Sequence, residues 1–135
     1  MASELKVDKF TGVTTAGSIL VTGEGNSTTT NLQQGLCKAW CYFDGSAGTP
    51  AFDDSFNGAS LTDVATGKYD MNFTSSMSNA TYSGSFNDSD RNDNQATFPQ
   101  STSACQMLNR RGIEGQSATD NDVTRGQFTV HGDLA

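Results

Sequence analysis

Leu32-Gln-Gln-Gly-Leu-Cys-Lys-Ala-Trp-Cys-Tyr-Phe-Asp-Gly45 decides the fold. It contains the single Trp, two of the three Cys and the densest aromatic cluster of the chain. From Cys37 the residues alternate. Cys37, Ala39, Cys41 and Phe43 fall on one side, and Lys38, Trp40 and Tyr42 on the other. A period of two is the signature of a strand. Both sides carry apolar or aromatic bulk, so the strand is expected to lie between two layers, inside a sandwich or against a partner chain. Asp44-Gly45 ends it with turn chemistry.

Short strands recur outward from this one. Residues 59–63 and 68–73 alternate and are joined by Val64-Ala-Thr-Gly67, a hairpin pattern. Ala59, Leu61, Tyr69, Met71 and Phe73 are expected to face the core. Residues 81–86 form another strand, with Tyr82 and Phe86 on one face. Residues 87–94 are polar, and Ala96-Thr-Phe98 is expected to resume pairing. Cys105-Gln-Met-Leu108 is a short apolar piece, and residues 110–122 read as a long loop. Residues 127–130 close the domain with Phe128 and Val130 inward. Before the central stretch, residues 3–10 alternate Leu5 and Val7 with charged neighbours and read as an edge strand. Residues 18–22 read as a second strand and residues 23–31 as a polar loop. No helical period is present. The expected fold is all-β, a compact antiparallel β-sandwich or small barrel over residues 34–135, with an extended N-terminal arm over residues 1–33.

Composition agrees. The chain has 135 residues, of which 34% are hydrophobic. That is enough for one domain with a core and too little for long helices. The net charge of −7 argues against nucleic acid, whose phosphates need clustered Lys and Arg. No stretch reaches membrane-spanning length. Met1-Ala-Ser-Glu-Leu-Lys lacks the charged and apolar regions of a secretory signal, so folding in a cytoplasm is expected. On a strand, Cys37 and Cys41 lie roughly 13 Å apart, too far for a mutual disulfide. Cys105 is therefore the only intramolecular partner open to either, and in a reducing compartment buried thiols are expected instead.

Few residues suggest chemistry. Asp88-x-Asp-x-Asn92 matches the start of a calcium loop, but Asp93 stands where Gly belongs and Pro99 where Glu belongs. Asp53-Asp54 reads as a charged turn before Phe56, because adjacent residues of an extended chain point apart. His131 has no sequence-adjacent nucleophile, and no phosphate loop or nucleophile elbow is present. The four Asn-x-Ser/Thr matches at Asn26, Asn72, Asn79 and Asn87 are chance matches in so Asn- and Thr-rich a chain. Trp40 and Tyr42 fit either packing against a neighbouring layer or a sugar-stacking platform, and packing is the stronger reading. No catalytic residue, metal or cofactor is expected.

Gln34-Gly-Leu-Cys-Lys-Ala-Trp-Cys-Tyr-Phe-Asp-Gly45 resembles a segment of virion proteins of marine bacteriophages, those of cyanobacteria in particular, in which a Lys-Ala-Trp strand precedes an aromatic and Asn-Gly or Asp-Gly. The resemblance continues through residues 54–57, 61–63, 66–69, 72–74, 77 and 80–82, and the opening residues 3–9 share it. Cys37 and Cys41 stand where that pattern has Ala or Val. The resemblance implies a non-enzymatic structural protein of the tail-fibre or capsid-decoration type. It also implies a homotrimer, a location in the virion, and other virion proteins as partners. The N-terminal arm would attach it, with Leu5, Val7, Ile19, Val21, Trp40 and Tyr42 as the expected assembly contacts. The alternative is a domain that binds a carbohydrate or receptor, with a host-surface glycan as ligand.

Overall fold

The computed structural model describes residues 4–12, 19–23, 25, 27–88, 93–112 and 119–133. The chain divides into two compact units, Met1–Leu36 and Cys37–Ala135. In the first, residues 4–12 belong to no ladder, which corrects the strand expected over residues 3–10. Alternation equips a segment for a sheet, but a strand exists only where a neighbour pairs its backbone. β1 (Leu20–Thr22) pairs antiparallel with β2 (Thr29–Asn31), and Gly23 N donates to Thr28 O at 2.9 Å to close the hairpin. Ser18, expected to begin β1, lies outside the described residues. β2 occupies the end of the expected polar loop, because its β-branched threonines favour extended backbone. α1 (Leu32–Gly35) is a single turn, capped by Asn31 Oδ1, which accepts from Gln34 N at 3.1 Å. None of its residues is buried.

The second unit is all strand. Its elements are β3 (Cys37–Asp44), β4 (Ala51–Phe56), β5 (Gly58–Ala65), β6 (Lys68–Phe73), β7 (Ser83–Asp88), β8 (Asp93–Pro99), β9 (Ala104–Arg111), β10 (Thr119–Asp120) and β11 (Gly126–His131). The all-β expectation holds, and four differences have local causes. Residues 51–56 form a strand rather than a charged turn, since Phe52 and Phe56 give that stretch an apolar residue on each face, and a register shift between Tyr42 and Phe43 leaves Asp53 as the extra residue. Thr81 stays out of β7 because its N–H, at 2.8 Å, and its hydroxyl both donate to Asn79 Oδ1. Ala59 is exposed rather than inward, displaced by a shift between Gly58 and Ser60. The expected loop over residues 110–122 contains the end of β9 and all of β10. Asp120 there accepts from Arg110 Nε at 2.8 Å and pairs with Lys68 Nζ at 3.2 Å. Arg110 first, then Lys68, holds the Asp120 carboxyl below its ordinary value.

Two sheets face each other. One runs β4-β3-β11-β7, with β3 inside it. In the other, β8 lies along one side of β9 while β6, and beyond it β10, share the opposite side; β5 follows β6. The sheets join where β4 passes into β5 through Asn57, and Thr97 Oγ1 of β8 bonds Gly84 O of β7 at 2.9 Å on the other side. All pairings are antiparallel.

The core lies between the sheets. Ala39, Cys41, Phe43, Phe86, Phe128 and Val130 come from one, and Tyr69, Met71, Phe73, Cys105 and Met107 from the other, with Met77, Tyr82 and Val123 supplied by connections. Leu61, expected in the core, packs against it only partly buried. The Phe43 ring meets Tyr69 edge-on at 5.0 Å and stacks on Phe86 at 6.1 Å. Gly126 is required beside that cluster, since a Cβ there would fall 2.5 Å from Phe43 Cε1.

Candidate functional site

β3 has two unlike faces. Ala39, Cys41 and Phe43 point into the core and are buried. Trp40 and Tyr42 point the other way and are half-buried. Of the residues expected on that side, Lys38 is buried while Trp40 and Tyr42 are half-buried, so the expectation that both faces would be covered is met on the core side and in part on the other. Directly opposed residues of paired strands share a face, which gives the composition of the outer surface. Trp40 stands opposite Phe56 on β4 and Thr129 on β11, and Thr129 opposite Ser85 on β7. Tyr42 stands opposite Asp54 and Gln127, and Gln127 opposite Asn87. The result is two short rows, each with aromatic character at β3 and uncharged polar groups on β11 and β7. Phe56 is 50% exposed. Sequence reasoning missed it, because Phe52 and Phe56 fall on opposite faces only once the extra residue Asp53 is allowed for.

The outer face of the second sheet differs. Its polar groups bond one another. Gln106 Nε2 donates to Asp70 Oδ1 at 3.0 Å, and Asn72 Nδ2 donates to Ser60 Oγ and Thr62 Oγ1 at 3.1 and 3.0 Å. A surface tied to itself in this way has spent its hydrogen-bonding capacity. The face of Trp40 and Tyr42 is thus the better candidate for recognition.

The other sequence candidates are dispersed. Leu5 is 73% exposed and Val7 48%, Val21 is exposed and Ile19 is partly buried. Asp54 Oδ1 accepts the Ser55 N–H at 2.8 Å. His131 stands opposite Cys37 and Ser83 on its two sides, but among the described residues no hydrogen bond joins its imidazole to either side chain. Asp90 and Asn92 of the calcium-like motif lie outside the described residues. Among the described residues, no group of three or more His, Cys, Asp or Glu is placed to hold a metal, and no helix is long and apolar enough to cross a membrane. The three cysteines are free thiols. Burial pushes Cys41 up to about 12 and Cys105 up to about 11, so these two are poor nucleophiles.

A buried polar cluster ties one end of the sandwich together. The Tyr69 hydroxyl donates to Asp122 Oδ1 at 2.9 Å and accepts from Val123 N at 3.3 Å. Asp122 Oδ1 also accepts from Gly67 N at 2.7 Å. Asn109, fully buried, donates to Asn121 O at 3.1 Å and accepts from Gln95 Nε2 at 3.2 Å. These bonds join β6, β8 and β9 to the segment before β11. They give the buried Asn109 side chain and the Tyr69 hydroxyl the partners that burial demands, and the cluster is architectural. Comparison of the chain with models of known protein families, with curated proteins and with solved structures finds no match.

Proposed function

We propose that this chain is a non-enzymatic structural component of a bacteriophage virion, of the tail-fibre or capsid-decoration type, assembled as a trimer and attached through its N-terminal segment. The reading rests above all on the resemblance carried by residues 34–45, most of which form β3, the strand inside the first sheet. A second support is the N-terminal unit. Leu5, Val7, Phe10, Leu20, Val21 and Leu36 are all exposed there, and none of the described residues of that unit is buried. Apolar groups gathered in a segment without a core belong to a contact with something else. The test is direct: particles of the parent phage are purified to constant protein composition and their subunits mapped. The chain is expected at fixed stoichiometry in multiples of three. Its absence from clean particles would reject the proposal.

A carbohydrate-binding reading has one observation in its favour, the partly exposed aromatics Trp40 and Tyr42 beside Gln127, Thr129 and Asp54. Trp40 is the single tryptophan, so its fluorescence reports on that face alone. Saturable quenching by a host glycan supports this reading, and spectra unchanged across the host's surface polysaccharides reject it.

A further inference from the structure

Residues 3–10 carry the alternation of a strand, yet residues 4–12 join no ladder among the described residues. β4 ends its sheet, with β3 as its only ladder partner among the described residues. An open edge and a patterned segment without a ladder are complementary, because neither has a strand beside it; on β4 the Ser55 N–H is held by its neighbour's carboxylate, Asp54 Oδ1, at 2.8 Å, a bond that an incoming strand replaces. Their side chains also match. On β4, Phe56 and Asp54 lie two residues apart on the outer face, an apolar group followed by a carboxylate. On the arm, Val7 and Lys9 lie two residues apart on one side of an extended segment, an apolar group followed by an ammonium. The spacing is the same, about 7 Å. Lys6, on the other side, is already paired with Glu4 at 3.5 Å.

We infer that residues 7–9 of one copy add as an antiparallel strand to residues 54–56 of β4 in a second copy. Val7 then lies opposite Phe56 and Lys9 opposite Asp54. The second copy's row Ser85, Thr129, Trp40, Phe56 gains Val7 of the first copy, and the row ending in Asp54 gains a cation. The ladder is short for a reason visible on β4, since Asp53 is the extra residue at one end and the chain turns at Asn57 at the other. Because the arm leaves one copy and enters a different surface on the next, the contact is heterologous, and a closed ring uses every arm and every edge. This rests on the proposed trimeric virion protein and supplies its means of assembly.

The test uses the full chain. Light scattering at tens of micromolar is expected to report about three copies. Lys9→Glu and Asp54→Lys, both at exposed positions, each place like charges together and weaken association several-fold. The double variant, with the pair reversed, restores it. A monomeric parent chain, or an oligomer indifferent to both single reversals, overturns the inference. Hydrogen exchange supplies a second readout. Amides 54–56 become protected as concentration rises, and protection independent of concentration would mean pairing within one chain, which also overturns it. Incorporation into particles is scored separately. A variant that stays monomeric but still enters the virion refutes arm exchange alone, whereas an oligomer that never enters refutes the virion reading alone.

Discussion

The Tyr69 hydroxyl donates to Asp122 Oδ1 at 2.9 Å across 53 residues of chain, tying β6 to the segment that leads into β11. The same oxygen accepts the Val123 N–H, and Gly45 O stands 3.2 Å away. Tyr69→Phe keeps the ring against Phe43 and removes only the oxygen. Buried groups that lose a partner cost their full desolvation, so the variant is expected to lose about 1–3 kcal/mol. Urea unfolding of the two proteins checks this, and an unchanged midpoint would show that the hydroxyl contributes nothing.

Asn57 carries the turn from β4 into β5 with φ +58°. Its Nδ2 donates to Lys38 O at 3.1 Å and Ser75 O at 3.0 Å, and its Oδ1 accepts from Ser75 N at 2.7 Å. Asn57→Gly loses these bonds but tolerates the left-handed backbone, whereas Asn57→Ala loses the bonds and adds strain. The expected costs are about 1–3 kcal/mol for Gly and about 1 kcal/mol more for Ala. Equal midpoints for the two variants would remove backbone strain from the explanation.

Stability is expected to fall in alkali. Burial raises the thiols of Cys41 and Cys105 and, with smaller contributions from neighbours, the phenols of Tyr69 and Tyr82. A raised group holds its proton in the folded state after the unfolded chain has released it. Its contribution is complete below the unfolded value and is lost as pH rises towards the folded one. The decline therefore begins near pH 9, the ordinary thiol value, and continues through 11 and 12, where Cys105 and Cys41 titrate folded. Denaturant midpoints measured from pH 7 to 10.5 check the sign; a flat profile contradicts it.

Thiol accessibility separates the three cysteines. Cys37 is partly exposed, while Cys41 and Cys105 are buried. An aromatic disulfide reagent is expected to label Cys37 alone in the native protein and all three in denaturant. Rapid native labelling of a second thiol would show that the core opens on the time scale of the assay.

Gly67 closes the β5–β6 turn at φ +68°, and a Cβ there would lie 2.5 Å from Asn109 O. Gly67→Ala combines left-handed strain with a clash against backbone and is expected to destabilise by more than about 1–2 kcal/mol. A melting temperature within a degree of the parent's would refute that.

The sequence was most readable where burial alternates. Lys68 to Phe73 reads as one strand because Tyr69, Met71 and Phe73 must face one way. Met77 and Val123 are equally buried but sit in connections, where no period marks them. β4 was hidden by its adjacent aspartates, whose placement depends on an extra residue that only the β3 ladder reveals. The polar cluster of Asn109, Asn121 and Asp122 was invisible for a different reason. Its bonds span long separations, and nothing in a run of Asn and Asp says which of them will be buried. The outer face was half legible: Trp40 and Tyr42 stood out, but their neighbours come from three other strands.

β3 begins at Cys37, immediately after the N-terminal unit, and runs between β4 and β11. A pull on the chain at Cys37, directed along the strand, would load β3 along its own axis. Antiparallel hydrogen bonds lie perpendicular to the strands, so both flanking ladders would be strained in shear and would have to yield together. Had the same pull entered sideways through an edge strand, the bonds would open one after another. A pull that enters the domain along β3 is thus met in its mechanically stiffer direction.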